Sequence, residues 1–245
     1  MRLLQRRPLT TAVLMAGLMF AMPVVHASAA QVETCKTATT LALNLGLMRG
    51  HLLVAADLFE AGHYELAQRH SKHPAEEVYQ ELLPALARFE LPEFAAELNA
   101  FANVLAEGGP AGSRFQDRYA ELRAAMNAIE TQLPLQAAQQ NSVAYELAKQ
   151  AAYEYSVGVA EDGRVTDLQE YQDAYGFVTV AKAKVESEAA AAPVTDGTSM
   201  TQRFNVALGL WPTLMPAAPL QVSSEGLKTL LSAMSDAGMD RSGCD

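Results

Sequence analysis

Cysteine is scarce: the chain has 2 in 245 residues, Cys35 and Cys244. They form no CxxC or CxxCH, which excludes a thioredoxin-like redox pair and an attached c-type haem. The usual catalytic signatures are missing as well. There is no G-x-S-x-G elbow, no glycine-rich phosphate loop and no H-E-x-x-H zinc motif, so nothing in the sequence marks a hydrolase or a nucleotide enzyme. Aromatic residues make up 7%, with a single Trp, and β-branched alternation is rare, which argues against a sheet protein. Positive charge is in deficit: 18 Lys and Arg stand against 28 Asp and Glu, a formal net charge of −10. Such a chain is repelled by nucleic acid and by anionic membrane surfaces, and it attracts cations. The same acidity equally serves plain solubility.

The first residues are the exception to this acidity. Arg2, Arg6 and Arg7 come with no acid, the apolar run Leu9 to Val25 follows, and Ala27-Ser28-Ala29 ends it. A basic start, an apolar run and small residues at a cut are the three parts of a secretory signal. Residues 1–29 are therefore expected to be a cleavable export signal, with the mature chain periplasmic. Cleavage near Ala29 leaves 15 basic residues against 28 acidic ones. No later segment has 18 consecutive apolar residues, so no membrane span is expected in the mature chain. An oxidising compartment permits a disulfide between Cys35 and Cys244, but sequence alone does not decide whether the two sulfurs meet.

Ala, Leu, Glu and Gln dominate the rest, and the spacing of apolar residues is helical. Leu41, Leu45, Met48, Leu52, Ala55 and Phe59 recur at intervals of three and four, predicting a helix from about Thr37 to Glu60 that ends at Ala61-Gly62. Further helices are predicted at Tyr64–His70, from Pro74 to about Phe89 with Pro84 kinking or dividing it, at Pro92–Glu107, Ser113–Gln132, Leu135–Tyr155, Leu168–Glu188 and Ser224–Ala237. Asp167 is the expected N-cap of the Leu168 helix. The expected fold is all-α, of up-and-down helices, in one bundle or two packed helical subdomains. The divisions read as 30–110, 111–188, a linker at 189–203 rich in Ala, Pro, Gly, Ser and Thr, and a C-terminal helical segment at 204–245.

Past the signal there are four histidines, His51, His63, His70 and His73, all within 23 residues and among Asp57, Glu60, Glu65, Glu76 and Glu77. His73 and Glu76 stand three apart, a spacing that shares a helix face. Imidazole with carboxylate suits iron, zinc, copper or nickel without choosing among them. Each residue also has a plainer use. His73 caps a helix opened by Pro74, Glu76 and Glu77 favour the positive helix end, and His51 bonds a backbone carbonyl inside the core.

A second region carries a resemblance. Glu154-Tyr155-Ser156-Val157-Gly158-Val159, then Asp162-Gly163-Arg164-Val165, then Glu170-Tyr171-Gln172-Asp173-Ala174-Tyr175-Gly176-Phe177 resembles the periplasmic N-terminal module of bacterial high-affinity iron permeases. That module has an acidic-aromatic pair, a D-G-x-V turn and an E-Y-x-E-M-x-E-F-like helix. Glu170, Tyr171 and Phe177 match and Asp173 is a conservative match, while Ala174 and Gly176 depart and Gly176 replaces an acid. Gly209-Leu210-Trp211-Pro212 is similar to a stretch after that module. The R-E-G-x-E motifs of the permease itself are absent. His73-Pro74-Ala75-Glu76 also resembles the H-x-x-E element of imelysin-like periplasmic proteins. Together these resemblances imply an iron or other transition-metal protein of the periplasm with a membrane metal transporter as partner. With the histidine cluster they give His51, His70, His73 and Glu76 as one expected ligand set, and Glu154, Glu170 and Asp173 as a second, carboxylate-rich one. The competing expectation is a metal-free helical adaptor for an envelope protein.

Overall fold

The computed structural model describes residues 28–73, 78–110, 112–188, 199–220 and 224–244, and over them the chain is all-α. The expected signal, the helix start from Pro74 to Glu77 and most of the expected linker lie outside these residues. The helices are α1 (Ala29–Glu60), α2 (Tyr64–His73), α3 (Tyr79–Arg88), α4 (Ala95–Glu107), α5 (Ser113–Glu130), α6 (Ala137–Gly158), α7 (Leu168–Glu188), α8 (Met200–Leu208) and α9 (Glu225–Asp236). Among the described residues the only β pairing is an isolated antiparallel bridge from Val159 to Val165 in the α6–α7 turn.

Helix α1 begins at Ala29 rather than at Thr37 because Ser28 and Gln31 form a capping box. The Ser28 hydroxyl accepts from the Gln31 amide at 3.3 Å, and the Gln31 side chain accepts from the Ser28 amide at 2.7 Å. Two otherwise unpaired donors are thereby satisfied. The helix stops at Ala61-Gly62, where Gly62 takes φ +83. The stripe from Leu41 to Phe59 is buried as its spacing predicts, but so are Ala42, Gly46, Gly50, Val54 and Leu58. A helix buried on most sides is a central one, and α1 packs against α2, α3, α5, α6 and α7. Its length and hydropathy are those shared by membrane spans, signal sequences and core helices; here 67% of the apolar window is buried inside the protein.

The antiparallel pair α6 and α7 lies against α1. Gly163, at φ +82, makes the turn between them. Asp167 caps α7 as expected, its Oδ1 accepting from the Gln169 amide at 3.0 Å and the Glu170 amide at 3.4 Å. Pro84 sits inside α3 without dividing it. Helix α8 was not expected, and it ends the linker at Ser199, where Ser199 and Gln202 form a second capping box. One hydrophobic core runs from Leu41 to Met239. Cys35 and Cys244 are joined by a disulfide with Cα atoms 5.6 Å apart, so the chain end is tied to the start of α1.

Two glycines set how α1 meets α7. A Cβ on Gly176 would lie 2.4 Å from the Gly50 carbonyl oxygen, and one on Gly50 would lie 2.4 Å from Phe177 Cδ1. The two helices therefore cross with their backbones in contact. Gly176→Ala is expected to cost at least about 1–3 kcal/mol, the usual range for overpacking, because the obstacle is backbone and cannot rotate away. Urea unfolding of the variant, read by far-UV circular dichroism, measures this; an unchanged midpoint would mean the helices separate without cost.

Beyond α8 the segment Trp211–Met215 lies across α7. Trp211 Nε1 donates to the Tyr171 carbonyl at 2.7 Å, Tyr171 donates its hydroxyl to the Thr213 carbonyl at 2.8 Å, and Gln172 Nε2 donates to the Leu214 carbonyl at 2.9 Å. Tyr155 and Tyr171 pack against the same indole. These bonds hold the first turns of α7, which carry the groups described next.

Candidate metal centre

The glycine crossing places His51 of α1 and Asp173 of α7 face to face. His51 Nδ1 lies 2.6 Å from Asp173 Oδ1, and the ring stands edge-on to Phe177. Helix α2 packs on α1 and brings His70 to the same oxygen, with Nδ1 at 2.9 Å from Asp173 Oδ1. All three residues are buried, His70 at 1% exposure and Asp173 at 3%. Two imidazoles thus converge on one carboxylate oxygen, and one ligand atom from each residue lies within 4.8 Å of the others.

The protons in this cluster follow from its neighbours. Gln172 turns its amide nitrogen to the Leu214 carbonyl and Met215 Sδ, so its oxygen is the atom 2.8 Å from His70 Nε2. His70 Nε2 must then donate, and Nδ1 faces a carboxylate that also needs a donor. When a metal ion replaces the Nδ1 proton, the Nε2–H to Gln172 is unaffected, and a carbonyl acceptor of this kind fixes the tautomer and aim of a ligating histidine. An ion about 2.0–2.2 Å from each ligand atom needs those atoms about 3–3.5 Å apart. The present contacts of 2.6 and 2.9 Å need to open only slightly.

A cleft of about 410 Å³ opens over His51 and Asp173, and Gln150, Tyr153, Glu154 and Glu170 also line it. His70 is not among the residues that line it. Glu154 is held by Gln150, whose Nε2 donates at 2.5 Å. Two carboxyls in this region titrate in opposite directions. Burial pushes Asp173 up, but hydrogen bonds from His51 and His70 and their charge outweigh it and bring the carboxyl down to about 2. The hydrogen bond between Glu170 and Glu154, then burial, then the charges of Glu154, Asp173 and Asp167 push Glu170 up to about 8. Glu170 therefore keeps its proton at neutral pH.

That proton has a consequence for stability. Glu170 holds it more tightly folded than unfolded, where the ordinary value is 4.5. Its contribution is full below about pH 4.5 and is lost as the pH rises towards about 8. The melting temperature of the metal-free protein is expected to fall between about pH 5 and about pH 8, and Glu170→Gln is expected to flatten that fall. A slope unchanged by the substitution would show that Glu170 holds no such proton.

The structure thus assembles the expected ligands differently from their order in sequence. Asp173 belongs with His51 and His70, and Glu154 and Glu170 line the approach to the same centre. His51 Nδ1 meets the Asp173 carboxylate. His73 is the last residue of α2, and the position of its side chain and all of Glu76 lie outside the described residues. Gln172 and Gln150 were not singled out by sequence. Gln172 stands beside Asp173 in the Glu170–Phe177 segment, but its role depends on Leu214, which no local pattern reveals. Compared with models of known families, with curated proteins and with solved structures, the chain matches none.

Proposed function

We propose that the protein binds a transition-metal ion, iron above all, through His51, His70 and Asp173, and that it serves metal uptake or homeostasis in the periplasm beside a membrane transporter. The observation that carries this reading is the convergence of two imidazole nitrogens and one carboxylate oxygen in a buried cluster with a cleft leading to it. Two histidines and one carboxylate with open positions are the donor set of many non-haem ferrous centres. Glu154 and Glu170 supply further oxygen donors on the way in, and hard oxygen ligands favour iron over copper(I). The surplus of acid over base in the whole chain favours cation entry.

The test is an anaerobic titration of the signal-free protein with ferrous ion, and separately with zinc and cupric ions, followed by calorimetry. One ion per chain with proton release is the expected result, since the ion displaces protons from the ligating nitrogens. Absence of saturable binding for every ion would remove the metal reading and favour the metal-free adaptor.

A further inference from the structure

A second cavity, of about 620 Å³, lies between α1, α5 and α7, and its chemistry is the reverse of the metal centre. Arg49, Arg123 and Lys184 line it in a chain whose net charge is −10. A single carboxylate, Glu130, serves two of these cations: Arg49 Nη2 lies 2.8 Å from Oε2 and Lys184 Nζ lies 2.7 Å from Oε1. The three side chains are 14–19% exposed, so the cations are held largely away from water. Arg49 Nε is buried and meets no acceptor among the described residues. A buried N–H without an acceptor is costly, and a guanidinium presents its donors in a planar fork that fits a carboxylate. Asp57, on the same wall, is a second carboxylate; burial and then the charge of Glu60 push its carboxyl up to about 6, still below neutral pH, so three cations face two carboxylates. The remaining walls are apolar: Leu53, Leu122, Met126 and Val180. The volume falls within the roughly 300–1,000 Å³ of small-molecule sites.

We propose that this cavity binds a small organic carboxylate with an apolar body, its charged end on Arg49 and Lys184 and its body against Leu53, Leu122 and Met126. The surplus of cations over carboxylates on its walls disfavours a metal ion. The apolar walls distinguish the ligand from a bare inorganic anion, whose whole surface needs polar partners. Glu130 is then the internal competitor of the ligand, occupying the cations in its place.

The competition gives the test a sign that a merely structural ion pair lacks. The probe is 4-(trifluoromethyl)phenylacetate, followed by fluorine NMR against the full signal-free protein, with the neutral amide of the same acid and inorganic phosphate beside it. Saturable binding of the acid is expected, with the amide weaker by about tenfold or more, the scale of a lost hydrogen bond to a charged group. Arg49→Gln is expected to weaken the acid by a similar factor, and Glu130→Gln to strengthen it. If Arg49→Gln does not fold by circular dichroism, Lys184→Gln is read in its place. Equal binding of acid and amide, displacement of the acid by phosphate at equal concentration, no saturable binding, or weakening by Glu130→Gln would each overturn the proposal.

Discussion

Replacing His51 and His70 by Ala together is expected to lower affinity for ferrous or zinc ion by well over a hundredfold. Loss of a group that merely orients a ligand costs about 10- to 100-fold, and this variant removes two ligands of three. Gln172→Leu supplies the comparison. It leaves both imidazoles in place but removes the carbonyl that holds His70 Nε2–H at 2.8 Å, so it should lose only the orienting share, about 10- to 100-fold. Competition with a chelator of known affinity measures both. A double variant that binds as the parent does would move the ion away from these residues. Glu154 and Glu170, at the mouth of the cleft, would then be the groups to replace.

The second large effect is on stability, and it requires no metal. Asp173 accepts from both His51 and His70, and all three are buried. Asp173→Ala removes the carboxylate that the Nδ1 atoms of both imidazoles face. Removing one partner of a buried ion pair costs about 3–5 kcal/mol, a large part of the stability of a domain of this size. The damage comes from the histidines left behind, so Asp173→Ala made together with His51→Ala and His70→Ala should be less destabilising than Asp173→Ala alone. Such non-additivity is the mark of groups in one network. Asp173→Asn should fall between, since its amide oxygen still accepts one bond. Urea unfolding gives all of these values. The acid limb follows the same cause. Asp173 is depressed from 3.8 to about 2, so its contribution is present above about pH 4 and is lost as the pH falls towards about 2.

The helices were legible because their punctuation is local. Gly62, Gly108 and Gly109 end helices at positive φ, Asp167 caps α7, and the α7 range is the one expected from that cap and the Ala- and Pro-rich stretch after it. The misses have local signals too. The early start of α1 and the whole of α8 follow from capping boxes at Ser28-x-x-Gln31 and Ser199-x-x-Gln202, which are hidden beside an apparent cleavage site and inside an Ala- and Pro-rich stretch.

The candidate site was legible only in pieces. His51 and His70 stood out as histidines near acids, and Asp173, Glu154 and Glu170 through the resemblance of their segment. That these residues gather around one centre depends on the crossing of α1 and α7 and the packing of α2 on α1, between residues more than 100 positions apart. Gly176 is instructive. As a sequence letter it is a missing acid; in the structure it is the residue that lets the Gly50 carbonyl approach, and so lets His51 reach Asp173. A larger side chain there would separate the ligands.

Anomalous diffraction at the iron edge, from crystals of the protein loaded anaerobically with ferrous ion, tests the metal centre most directly. A single strong peak about 2.0–2.2 Å from nitrogens of His51 and His70 and from a carboxylate oxygen of Asp173 is the predicted result, that being the usual reach of imidazole and carboxylate ligands. A peak elsewhere, with His51 and His70 still bonded to Asp173, would contradict it.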